Sequence, residues 1–137
     1  MSFELRDHTA DVAVAAVGRT LGETFAAVAD GLAAAMCDDV PTEGGRRYDD
    51  EVGAESRESL LFDYLDELIY RRDVEGVLPV DHVASVAESD GTWTLTGSFR
   101  GVPFADVVAR DVKAVTYSEM RVEREGEGWT AYVVLDV

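Results

Sequence analysis

Two stretches of this chain set their apolar residues three or four positions apart, and a period of two appears after the second. The first stretch is Leu21, Phe25, Val28, Leu32 and Met36. The second is Leu60, Leu61, Tyr64, Leu65, Leu68 and Ile69. A spacing near 3.6 puts such residues on one side of a helix, and a spacing of two puts them on one face of a strand. After the second stretch the period changes. Trp129, Ala131, Val133 and Leu135, for example, alternate with Thr130, Tyr132, Val134 and Asp136. Two helical stripes and many alternating runs suit a helical layer packed on a sheet. The fold class expected is therefore α+β, two helices packed on a mostly antiparallel β-sheet.

Local signals set the expected boundaries. Thr20-Leu21-Gly22-Glu23 has the form of a capping box, with Thr20 as N-cap, and the helix it opens runs to about Cys37. Gly31 inside that helix costs about 1 kcal/mol against alanine, which hints at close packing. Ser56 caps the second helix, which ends near Arg71-Arg72, where arginines complement the helix dipole. Phe3 to Arg6 reads as an edge strand, Asp7 to Asp11 as a polar turn, and Val12 to Val17 as a buried strand. Asp38 to Gly45 reads as a loop, and Arg46 to Ala54 as a strand on an exposed edge. Val77 to Ala87 and Trp93 to Phe99 read as a hairpin about Asp90-Gly91, followed by a loop from Gly101 to Arg110. Val115 to Glu125 and Trp129 to Val137 form a last hairpin around Gly126-Glu127-Gly128. Neither βαβ alternation nor a glycine-rich phosphate loop occurs, so a Rossmann or P-loop function has no support.

With 137 residues the chain is expected to form one domain, 1–137. The one cysteine, Cys37, permits no intrachain disulfide and reads as a small core residue. No window reaches the ~18 apolar residues of a membrane span. The start, Met1-Ser2-Phe3-Glu4, lacks the basic and apolar segments of a signal peptide, so a cytoplasmic location is expected. Twenty-eight acidic residues face twelve basic ones, for a formal net charge of -16. Such a balance suits molar salt, where the Debye length shrinks to ~3 Å, and suggests a halophilic source. It also disfavours direct nucleic-acid binding, because no basic patch with interleaved aromatics accompanies it. The doublets Arg46-Arg47 and Arg71-Arg72 read as solvated surface pairs.

Three polar features stand apart from the core pattern. One is His8-Thr9-Ala10-Asp11. Another is Lys113, the only lysine in the chain, with Thr116-Tyr117 after it. The third is Asp136-Val137 at the end of the sequence. A lysine's compact ammonium on a flexible stem can act as a point charge on a phosphate or carboxylate, where arginine's planar fork fits differently. Asp11, Asp136 and the carboxylate of Val137 are hard oxygen donors. Brought together, they suit Ca²⁺ or Mg²⁺ rather than zinc. The plainer readings are a strand-end hydrogen bond for Asp11 and a solvated charge for Asp136. His8 and His82 lack neighbours at zinc-ligand spacing. No Gly-x-Ser-x-Gly elbow is present, and Ser118 could act as a nucleophile only if His8 folded beside it.

The chain resembles the archease family along its whole length. The matching residues are His8-Thr9-Ala10-Asp11-Val12, then Gly18 with Leu21, Glu23, Phe25 and Ala29, then Leu61, Leu65, Glu67 and Leu68. Val112-Lys113-Ala114-Val115-Thr116-Tyr117 and Leu135-Asp136-Val137 complete the set. The resemblance implies an α+β protein with a calcium-type metal site (another hard cation such as Mg²⁺ or Mn²⁺ would be equivalent). The implied ligands are Asp11, Asp136 and Val137, with His8 and Thr116 as outer neighbours. It implies a protein that is not itself an enzyme. Its partner would be the tRNA-splicing RNA ligase, whose active-site histidine it helps to guanylylate, so that the ligase turns over repeatedly and uses nucleotides besides GTP. Lys113, with Asp11 and Asp136, would serve that activation. Ser118 stands where the family often has histidine, and Glu67 reads as a solvated helix residue. The alternatives are a free-standing metal-dependent phosphate or ester hydrolase using the same carboxylates, and a chaperone or RNA-modification adaptor.

Overall fold

A computed structural model of the chain describes residues 2–8, 11–107 and 109–137, leaving out the side chains of Arg6, Asp7, His8 and Asp106. Its strands are β1 (Ser2–His8), β2 (Asp11–Gly18), β3 (Arg46–Ala54), β4 (Val77–Ser89), β5 (Thr92–Pro103), β6 (Ala114–Glu125) and β7 (Gly128–Asp136). The helices are α1 (Leu21–Met36) and α2 (Arg57–Glu75), and a short 3₁₀ turn spans Phe104–Asp106. The α+β class holds, with every strand pairing among the described residues antiparallel. The strands divide into two sheets, one ordered β1-β2-β7-β6 and the other β3-β5-β4. Both helices touch strands of both sheets.

The caps form as the sequence suggests, with one change. Thr20 accepts the Glu23 N–H at 3.1 Å, and Ser56 accepts the Ser59 N–H at 3.1 Å. Glu23's carboxylate, however, takes the N–H of Arg19 at 3.1 Å rather than that of the N-cap residue. α2 runs a turn beyond the expected stop, because Gly76 adopts the left-handed conformation that closes a helix (φ 67°, ψ 37°) and donates to Arg72 O. The expected polar turn of residues 7–11 is also narrower. Asp7 and His8 belong to β1, Asp11 begins β2, and Thr9 and Ala10 lie outside the described residues.

α1 differs most from a one-sided amphipathic helix. Burial extends round all of it except the narrow stripe of Glu23, Asp30 and Ala34, which are half-buried. Two glycines explain how it fits. A Cβ on Gly31 would lie 2.5 Å from Val14 Cγ1 of the four-stranded sheet. One on Gly22 would lie 2.4 Å from Ala84 O of the three-stranded sheet. α1 is thus pressed against a sheet on either side, and the alanine run keeps it thin. α2 buries one stripe, Leu60, Leu61, Tyr64, Leu65, Leu68 and Ile69, as its period predicts. Free Cys37 is buried at the end of α1.

Candidate functional site

One row of backbone pairing crosses the end of the four-stranded sheet. His8 pairs with Asp11, Asp11 with Asp136, and Asp136 with Ala114. Directly opposed residues in an antiparallel pair point to the same face, with Cβ atoms about 5 Å apart. The carboxylates of Asp11 and Asp136, 125 positions apart in sequence, are therefore neighbours. Lys113 sits at the same edge, where its N–H donates to Asp136 O at 2.8 Å. Asp136, Val137 and Lys113 are exposed, and Asp11 is half-buried. The fold thus joins the beginning of β2, the segment before β6 and the end of β7.

Two opposed like charges repel unless something lies between them. Among the described residues the groups at this edge that could hold a metal are oxygens: the carboxylates of Asp11 and Asp136 and main-chain oxygen of Val137. That chemistry fits a hard divalent cation and not a soft one. Among the described residues no three His, Cys, Asp or Glu side chains gather to hold a metal. A cation here would rely on the two side-chain carboxylates, main-chain oxygen of Val137 and water, as hard cations commonly do.

The neighbours are less uniform. Thr116 Oγ1 donates to Val134 O at 3.1 Å and so stitches β6 to β7. The side chain of His8 lies outside the described residues, although its backbone shares the row. Glu67 is half-buried on α2 and acts electrostatically on Asp50 of β3. Ser118 is exposed on β6, with β2 and β7 between its strand and the β1 of His8. The two positions are not neighbours, which removes a Ser–His pairing.

The arginine doublet Arg71-Arg72 is not a solvated pair. Arg72 is buried, donates to Val112 O at 2.9 Å and to Asp73 Oδ1 at 2.9 Å, and lies 3.6 Å from Asp111 Oδ1. Arg110 donates to Ala35 O at 3.2 Å and pairs with Asp38 at 2.8 Å. These two arginines clamp the 110–112 segment to both helices, just before Lys113. Sequence patterning missed Arg72, because a helix-terminal arginine ordinarily reaches water.

Among the described residues no helix is long and apolar enough to cross a membrane. Two helices on antiparallel sheets, with a polar row at one sheet end, define a small α+β protein of the archease type. Residues 3–137 match the model of the Archease protein family. The chain is similar to the protein archease of Pyrococcus furiosus, at 36% identity over 98% of each chain. It is also similar to that of Archaeoglobus fulgidus, at 34% over 100% of each. Among solved structures it is similar to Methanobacterium thermoautotrophicum protein 1598, with a TM-score of 0.85, 33% identity and 99% of each chain covered. A Thermotoga maritima structure described as an archease and possible chaperone shares the fold, with a TM-score of 0.62, 20% identity, and 98% of this chain and 96% of that one covered. The chain belongs to the archease family.

Proposed function

We propose that this protein activates a tRNA-splicing RNA ligase, promoting transfer of GMP to the ligase's histidine and allowing repeated turnover with a broader choice of nucleotide. The observation that carries this reading is the register pairing of Asp11 with Asp136, whose carbonyl holds the N–H of Lys113. It puts paired carboxylates and the chain's one lysine at an open sheet edge, where a second protein can reach them. Asp11, Asp136 and the Val137 carboxylate would hold Ca²⁺ or a similar hard cation. The bound ion would supply positive charge and fix the carboxylates' positions. Lys113 supplies a mobile ammonium for the phosphates of the nucleotide or for an acidic group of the ligase. Charge placed where a triphosphate reacts is a large source of rate. Lys113, Asp136 and Val137 are exposed at this edge, which favours action on a partner over independent hydrolysis.

The test is a guanylylation assay of the cognate ligase with GTP and Mn²⁺ at molar salt, with and without this protein. Faster GMP transfer and multiple turnovers are expected, and a folded Lys113→Ala protein is expected to give neither. An active ligase that this protein leaves unchanged would sink the reading. Turnover of nucleotide or ester by the protein alone would replace it with the hydrolase.

A further inference from the structure

β6 carries an irregularity that the metal row does not need. Thr116 pairs with Val134 and Arg121 with Tyr132, so residues 117–120 lie opposite Val133 alone. Within them Glu119 holds φ at 57°, a conformation rare outside glycine and asparagine. Bulges of this kind re-aim a side chain, and strained residues gather at functional surfaces. The side chain re-aimed here is Tyr117. Its ring stacks on Phe62 of α2, with centroids 4.2 Å apart and planes 7° from parallel. Tyr117 is still 54% exposed. One face of the ring rests on Phe62.

The surroundings of this flat ring are acidic. Glu58 and Asp66 lie four residues either side of Phe62 and therefore on the same stripe of α2. Asp63 is exposed beside them, and Glu119 is exposed two residues after Tyr117. A nucleotide or RNA would bring phosphates against these carboxylates. An arginine side chain meets both features, since its planar guanidinium stacks on aromatic faces and pairs with carboxylates. Aromatic rings on firm backing are also the usual anchors of protein interfaces.

We propose that the Phe62-backed ring of Tyr117 is a docking anchor for the partner protein, taking an arginine of that partner between the ring and the carboxylates of Glu58, Asp66 and Glu119. The inference rests on the ligase reading above and separates binding from activation. Tyr117 governs affinity, and Lys113 governs the rate once bound.

The experiment measures the dissociation constant of the complex with the cognate ligase, together with the guanylylation rate at saturating protein. Tyr117→Leu keeps apolar contact with Phe62 but loses the flat ring, and it should weaken binding about tenfold, as for other aromatic anchors. Its rate at saturation should equal the wild type's. Tyr117→Phe should bind within about twofold, because the hydroxyl takes no part in such stacking. Asp66→Lys, a surface change that spares the ring, should weaken binding as well. Unchanged affinity in folded Tyr117→Leu and Asp66→Lys proteins would overturn the proposal. So would unchanged affinity with a lower saturated rate, or weakened binding to a tRNA probe in place of the ligase. Wild-type protein that fails to bind an active ligase would overturn the ligase reading itself and the anchor with it.

Discussion

Asp11 and Asp136 stand at the rim of the four-stranded sheet, while Asp30 and Asp50 belong to the packed region under the three-stranded one. The rim pair opposes two like charges in register where solvent and ions can reach them. In the inner region, burial pushes the carboxyl groups of both Asp30 and Asp50 up to about 6. Asp30 accepts the His82 N–H at 3.1 Å, which partly offsets its burial. Both Asp50 oxygens lack a hydrogen-bond partner among the described residues, as do the Tyr64 hydroxyl and His82 Nδ1. Arg71 and Arg47 favour the charged form of Asp50, while Glu67 and Asp49 oppose it. His82 is buried beside Tyr64 and Phe99, and burial lowers its imidazole to about 4, although its contact with Pro79 O works the other way. The same residue type therefore serves two ends. At the rim, two carboxylates face one another across paired strands where solvent reaches them. In the interior, ionisation weakens the fold.

The largest expected effect breaks the rim. Adding Ca²⁺ should raise the thermal midpoint of the wild-type protein, since an ion at a hundred times its Kd stabilises the folded state by about 2.7 kcal/mol. In Asp136→Asn that rise should vanish along with stimulation of the ligase. Without the ion, the variant should match or exceed the wild type by a few tenths of a kcal/mol, because one repulsion is gone. A variant that keeps the full Ca²⁺ response would show that Asp136 is no ligand.

The next effect concerns pH. A carboxyl group raised from 3.8 to about 6 binds its proton more tightly when folded. Its stabilising contribution is therefore full below about pH 4 and is lost as the pH rises through 6. His82 has the opposite sign, because the unfolded chain takes up its proton near 6.5 and the folded one only near 4. Between pH 7.5 and 5, the two aspartates together add about 3 kcal/mol on acidification and His82 removes about 2 kcal/mol. Denaturant titrations should show the wild type gaining about 1 kcal/mol from these three groups on acidification. His82→Gln should gain about 3 kcal/mol over the same range, three times the wild-type change. Equal pH slopes in the two proteins would remove His82 from the account.

Asp50→Asn gives a smaller effect. It deletes one of the two opposing aspartates, so the gain on acidification should disappear or turn into a small loss. Ligase stimulation should be unaffected, since Asp50 lies on β3 and away from the rim. The smallest effect belongs to Tyr64→Phe. Its hydroxyl is buried without a partner among the described residues, so removal should cost nothing and stabilise by up to about 1 kcal/mol. A loss of more than 1 kcal/mol would reveal a hydrogen bond that Tyr64 makes in solution.

Much of this architecture was legible before any coordinates. The stripe on α2, the caps at Thr20 and Ser56, the breaks at Asp90-Gly91 and Gly126-Glu127-Gly128, and the edge strand Arg46–Ala54 all follow from local rules, and the structure contains each of them. Lys113, Asp11 and Asp136-Val137 stood out because their positions were not explained by caps, turns or solvated faces. Other residues were misread for a definite reason. Arg72 looks like a surface charge at a helix end, and only packing against the 110–112 segment buries it. Tyr117 was noticed within its motif but had no role until its ring was found on Phe62.

Periodicity and capping are local properties, set by φ, ψ and side-chain direction over a few residues. The amino-acid order therefore determined two helices, alternating strands and their punctuation without reference to anything distant. It could not determine which strands share a sheet, or that α1 would be pressed between two of them through Gly22 and Gly31. Nor could it place Asp11 opposite Asp136. A one-residue change of register would turn one aspartate to the other face, and register is chosen by burying Val12, Val14 and Ala16 against Leu135, Val133 and Ala131. Long-range burial made that choice, and it assembled the site.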